Sequence, residues 1–160
     1  MEAKVDEPFG QTLAEQLASA LEDRMKNPRS MAFARAQQLV ESVLGPRTEG
    51  APPLKHIRYQ LLTATAGALA EAKRKRESWG VDTVRVVVLI QEFVTSGPST
   101  KKQMANARDL DRFLHRLTHG QTSSIEPGKL VGPLSVSAAP VPGIDLYFGK
   151  VIAPVAGPVV

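Results

Sequence analysis

The sequence predicts an α/β fold, a small mixed sheet flanked by helices. Two patterns predict it. Val86-Val87-Val88-Leu89-Ile90 is an unbroken apolar run, as in a central strand covered by helices on both faces. Around it lie stretches with apolar residues every three or four positions, the period of a helix packed on one side. At 160 residues the chain is one domain in size, long enough to bury roughly 70% of its unfolded surface.

The elements follow in order. Ala3 and Val5 alternate with Glu2, Lys4 and Asp6, a period of two that suits a short strand, and Pro8 and Gly10 end it. Gln11 to Met25 reads as an amphipathic helix with Leu13, Leu17, Leu21 and Met25 at four-residue steps. A second helix is punctuated by Asn27 as cap, Pro28 in the first turn and Gly45-Pro46 as stop. The longest helix runs from Leu54 to Ser78, with Ile57, Leu61, Ala64, Ala68, Leu69 and Ala72 along one stripe. Gly80 closes it.

Val84–Val94 is the strongest strand. Thr100 with Gln103 starts a further helix by a capping box, running to Thr118 with Met104, Ala107, Leu110, Leu114 and Leu117 as its core stripe. Beyond His119 lie six of the twelve glycines and six of the twelve prolines, so only short strands fit there, near Leu130–Val136 and Ile144–Ile152. Residues 1–119 thus read as an α/β core, and 120–160 as a Pro/Gly-rich segment packed on the same domain.

Composition removes several functions. The absence of cysteine excludes disulfides, thiol catalysis and thiolate metal sites. No apolar run approaches the roughly 20 residues of a membrane span, and the acidic N-terminus lacks the basic and apolar regions of a signal peptide. A cytoplasmic protein with no membrane partner is expected. The net charge of +4 is matched by one basic run, Lys73-Arg74-Lys75-Arg76, which is a candidate contact for nucleic-acid phosphates. With aromatics at 5%, interleaved base-stacking residues are missing, and a solvated helix end is the simpler reading of that run. Asp111, His115 and His119 stand at four-residue steps, a spacing that can bind a metal; a solvated helix face explains them as simply.

Glu2, Lys4 and Asp6 fall on one face of a strand. A carboxylate with a lysine two residues on suits divalent-metal chemistry. The carboxylate binds the metal, and the ammonium steadies the attacking water or the phosphorane charge. Alternating charge also marks any solvated strand.

The stretch Glu2-Ala3-Lys4-Val5-Asp6-Glu7-Pro8-Phe9-Gly10, with Thr12-Leu13 after it, resembles Glu-Gly-Lys-Val-Asp-Glu-Pro-Phe-Gly in a bacterial domain family of unknown function. That family is similar to the PD-(D/E)XK, or restriction-endonuclease-like, superfamily. Arg58-Tyr59-Gln60-Leu61-Leu62 resembles the family's long helix, Val87 to Phe93 its following strand, and Leu146-Tyr147-Phe148-Gly149-Lys150 its closing strand. The resemblance implies a partial restriction-endonuclease-like core. In it Glu2 is the metal-binding carboxylate, Lys4 the catalytic lysine, Gln60 a supporting residue at a helix start, and Mg²⁺ the cofactor of any activity.

The superfamily pattern places another acidic ligand on a strand before the Glu-x-Lys strand, whereas here only Met1 precedes Glu2. Asp6 is the candidate second metal ligand, but each two-residue step along a strand covers about 6.6–6.8 Å, which separates it too far from Glu2 for one ion. The expectation is a domain lacking its N-terminal part and not a competent enzyme as the chain stands. A metal-dependent nuclease using Glu2 and Lys4 is the alternative, and a nucleic-acid-binding module using Lys73–Arg76 a further one. An uncovered sheet edge also leads to the expectation of a homodimer.

Overall fold

The computed structural model describes residues 2–5, 9–47, 49–94, 100–122, 124–134 and 142–154. Strand β1 (Glu2–Val5) leads to helices α1 (Leu13–Lys26) and α2 (Ala32–Leu44). A single 3₁₀ turn (Leu54–His56) and α3 (Tyr59–Trp79) follow, then β2 (Val84–Val94), α4 (Thr100–Leu117), β3 (Leu130–Leu134) and β4 (Ile144–Pro154). The sheet order is β1-β2-β4-β3. β1, β2 and β4 are parallel, and β3 is antiparallel to β4. The fold is mixed α/β, and among the described residues no helix is long and apolar enough to cross a membrane.

Local chemistry explains where α1, α2 and α3 start, while the Thr100 side chain expected to cap α4 lies outside what is described. Thr12 caps α1 through a reciprocal box: its hydroxyl accepts from the Glu15 amide, and the Glu15 carboxylate accepts from the Thr12 amide at 2.7 Å. Asn27 does not cap α2 as expected. It is the C-cap of α1, and its Oδ1 accepts from the Arg29 amide, so Asn27-Pro28 makes a turn and α2 begins only at Ala32. The long helix likewise starts late. Between the 3₁₀ turn and α3, Ile57 O accepts from Leu13 N and Tyr59 N donates to Gln11 O, which draws Arg58 into a β-bridge with Thr12 and holds the backbone extended there.

The core lies between the helices and one face of the sheet. It joins Leu13, Val43, Leu44, Ile57, Leu61 and Leu62 to Val88, Ile90, Leu146 and Phe148, with Leu110, Phe113, Leu114 and Leu117 of α4. Phe113 tilts against Phe148 at 6.0 Å between ring centres. Met104, expected in the α4 stripe, is 60% exposed, because that stripe meets the sheet only from Leu110 onward. β2 also departs from expectation. Val88 and Ile90 are buried while Val87 is 48% exposed, so one face of the strand carries the core and the other is open.

β4 covers the expected Ile144–Ile152 and two residues more, and it pairs with β2 over eleven residues, from Val84↔Ile144 to Val94↔Pro154. Its Gly149 is a packing requirement. A Cβ there would come 2.7 Å from Leu130 Cδ2 and 3.1 Å from Leu89 Cδ1, so the glycine lets both leucines lie across the sheet.

Candidate functional site

The three parallel strands run the same way, so their carboxyl ends share one rim, the place where open α/β sheets bind ligands. Near that rim the core face turns from apolar to charged. On β2, Val86, Val88 and Ile90 are followed two residues on by Glu92; on β4, Leu146 and Phe148 are followed by Lys150. Lys150 Nζ lies 3.0 Å from Glu92 Oε2, and both side chains are about 9% exposed. The two residues sit on the same sheet face by alternation and meet diagonally, since Lys150 is in register with Ile90 and Glu92 with Ile152.

The register of β1 adds two positions. Glu2 stands opposite Ile90, and Lys4 opposite Glu92. The structure therefore brings the Glu-x-Lys strand against the strand that carries Glu92, with Lys150 on the next strand. Neither Glu92 nor Lys150 was singled out from sequence. The signal was there: a charged residue at a core-parity position of an otherwise apolar strand needs a partner. Asp6 lies outside the described residues.

α4 supplies further charge. Burial pushes the Asp111 carboxyl above its ordinary value, and the positive charge of Lys150 partly opposes that rise. A raised carboxylate disfavours the folded state wherever it is ionised, so this cost is full above the folded pKa and absent below the unfolded one. Asp111→Asn is expected to raise the urea midpoint at neutral pH, with the gain fading as pH falls toward about 4 and gone below it. An equal gain at both pH values would show that the charge is not its cause. His115 and His119 do not extend this group into a metal site. α4 ends at Leu117, and His119 has φ 51°, so the four-residue helical spacing stops before it. Among the described residues no three His, Asp or Glu side chains converge.

Gln60 is the second residue of α3, and a Cβ at Gly10 would stand 3.7 Å from its Oε1. Beside it Arg58 links three segments, donating to Gly10 O at 2.8 Å and to the buried Asp109 at 2.6 Å. Arg58 and Asp109 thus tie Gly10 to the start of α3 and to α4.

The basic run is spread around the end of α3, since successive residues step about 100° around a helix. Arg74 forms two hydrogen bonds with Glu71 (2.9 and 2.7 Å), Lys75 stands 5.1 Å above the Trp79 ring, and Arg76 donates to Pro142 O. Lys73 borders a separate hollow beside Val43 and Leu69. Three of the four cations are thus engaged with neighbours in three different directions.

No curated protein and no solved structure matches the chain. The family model described as a domain of unknown function, DUF6946, matches residues 1–155, and the chain belongs to that family.

Proposed function

We propose that this chain is a non-catalytic interaction domain of the restriction-endonuclease-like class, one that retains the Glu-x-Lys strand and does not cleave as it stands. The observation that supports this reading is the Glu92–Lys150 pair. A Mg²⁺ ion held at Glu2 needs further oxygen ligands, and the carboxylate that the neighbouring strand presents opposite Lys4 is Glu92. That carboxylate is already neutralised at 3.0 Å by a buried ammonium. Recruiting it to a metal means breaking a buried ion pair, a cost of about 3–5 kcal/mol. An ion at Glu2 would then compete with Lys150 for the carboxylate that register places beside Lys4.

The test is an incubation of the full chain with supercoiled DNA and with RNA in Mg²⁺ or Mn²⁺, beside Lys4→Ala. The expected result is the same background for both proteins. Metal-dependent cleavage by the wild type that disappears in Lys4→Ala would replace this reading with the nuclease.

A further inference from the structure

α4 enters the core only through its second half. Leu110, Phe113, Leu114 and Leu117 are core residues, while Lys101, Met104, Ala105 and Arg108 are exposed. With Arg112 these four stand at steps of three and four residues, so they share one face of the helix over about 16 Å. Met104, 60% exposed, lies within that face. α4 begins at Thr100, a short step of chain after β2 ends at Val94, so the face opens near the carboxyl rim of the sheet.

The face is basic with an apolar centre. The two acidic residues of α4 flank it and are occupied elsewhere. Asp109 is buried between Arg58 and Arg112, and Asp111 feels the charge of Lys150. Neither Lys101 nor Arg108 has a hydrogen-bond or ion-pair partner among the described residues. The first turn of α4 holds no acidic residue, although the helix dipole favours one there and disfavours Lys101. Local stability therefore does not account for Lys101. A cationic face is also at home in water and needs no covering segment, so its chemistry and not its exposure carries the argument.

We propose that this face docks an acidic amphipathic helix of a partner protein. Lys101, Arg108 and Arg112 meet carboxylates that flank an apolar stripe, and that stripe rests on Met104 and Ala105. Methionine and arginine are residues that protein interfaces enrich, and a side chain as small as Ala105 lets a second helix come close. The opposite charges speed the encounter and fix its register. A nucleic-acid backbone satisfies the cations alone: it offers nothing to Met104, and no aromatic ring stands on this face to stack on a base. The inference stands on the α4 surface and does not depend on whether the chain cleaves nucleic acid, which the cleavage assay answers separately.

The experiment is fluorescence anisotropy of the full chain with a short labelled helical peptide. The peptide carries leucine at three- and four-residue steps and glutamate on both flanks, and its counterpart carries glutamine in place of glutamate. The wild type is expected to bind the acidic peptide, more weakly as salt is raised, and to leave the glutamine peptide free. Lys101→Glu with Arg108→Glu is expected to weaken binding about tenfold, and Met104→Ser about fivefold. Arg29→Glu, an equally exposed charge reversal away from α4, is expected to leave it unchanged. All the substituted residues are exposed and glutamate suits a first turn, so far-ultraviolet circular dichroism is expected to match the wild type. Absence of binding overturns the proposal, as does equal binding of the glutamine peptide or of the doubly reversed variant. A DNA duplex that binds more tightly than the peptide, with no loss in Met104→Ser, would put a nucleic acid in the partner's place.

Discussion

Lys150→Met is expected to lower the unfolding free energy by about 3–5 kcal/mol, the cost of leaving a buried charge without its partner. The ammonium and the Glu92 carboxylate are 3.0 Å apart and each about 9% exposed, on a face otherwise formed by Val88, Ile90, Leu146 and Phe148. Methionine fills much the same volume, so the loss comes from the stranded carboxylate and not from a cavity. The double variant Glu92→Leu with Lys150→Met separates the two effects. Removing both charges together is expected to recover most of the loss, since apolar replacements of buried pairs are often neutral or stabilising by about 1–4 kcal/mol. Urea denaturation of Lys150→Met, Glu92→Leu alone and the double variant closes the double-mutant cycle. A double variant as unstable as the single would show that the pair itself, and not the orphaned charge, carries the stability.

Arg116→Met is expected to cost about 3–5 kcal/mol, because each hydrogen bond from a charged donor contributes about 1.5–3 kcal/mol. Arg116 is 2% exposed on α4, and its two terminal nitrogens donate at 3.0 Å to Pro46 O and Gly45 O. Gly45 is the C-cap of α2, so the guanidinium serves carbonyls at a helix end that have no intrahelical donor. Arg116→Lys keeps the charge but lacks the planar fork, and an intermediate loss is expected by the same urea measurement. Hydrogen exchange at the end of α2 is expected to rise in Arg116→Met before the rest of the protein opens. Unchanged protection there would mean that the cap does not depend on Arg116.

These two residues show where sequence reading succeeds and where it stops. β2 was legible because five apolar residues in a row leave few alternatives. Its open face was not, since periodicity cannot tell a strand covered on both sides from one covered on a single side. The full length of β4 was not legible, because the glycines and prolines after His119 point to short strands. Gly149 has a spatial cause, since its missing side chain makes room for Leu89 and Leu130.

The start of α2 was misread because Asn27-Pro28 serves a helix start and a turn equally well, and its bond to Arg29 decides for the turn. The β1 strand and its Glu-x-Lys spacing were legible, but its neighbour was not. Glu92 and Lys150 lie 58 positions apart (150 − 92) and meet only because β2 and β4 are paired in one register. Nothing in the sequence singles out Arg116; the packing of α4 against α2 is what gives it two carbonyls.

The same parallel pairing has a consequence for how the chain is made. Val88 finds its partner in Phe148, 60 positions further on. At a synthesis rate of about 5–20 residues per second, β2 waits about 3–12 s for that partner to be added. Through that interval, among the described residues, the valine-rich strand has only the four of β1 to pair with. Helices α1 to α3 precede β2 in the chain and form within about microseconds, so they can shelter its core face during the wait. The edge that awaits β4 has no such early cover among the described residues, which places the period of greatest aggregation risk before β4 leaves the ribosome.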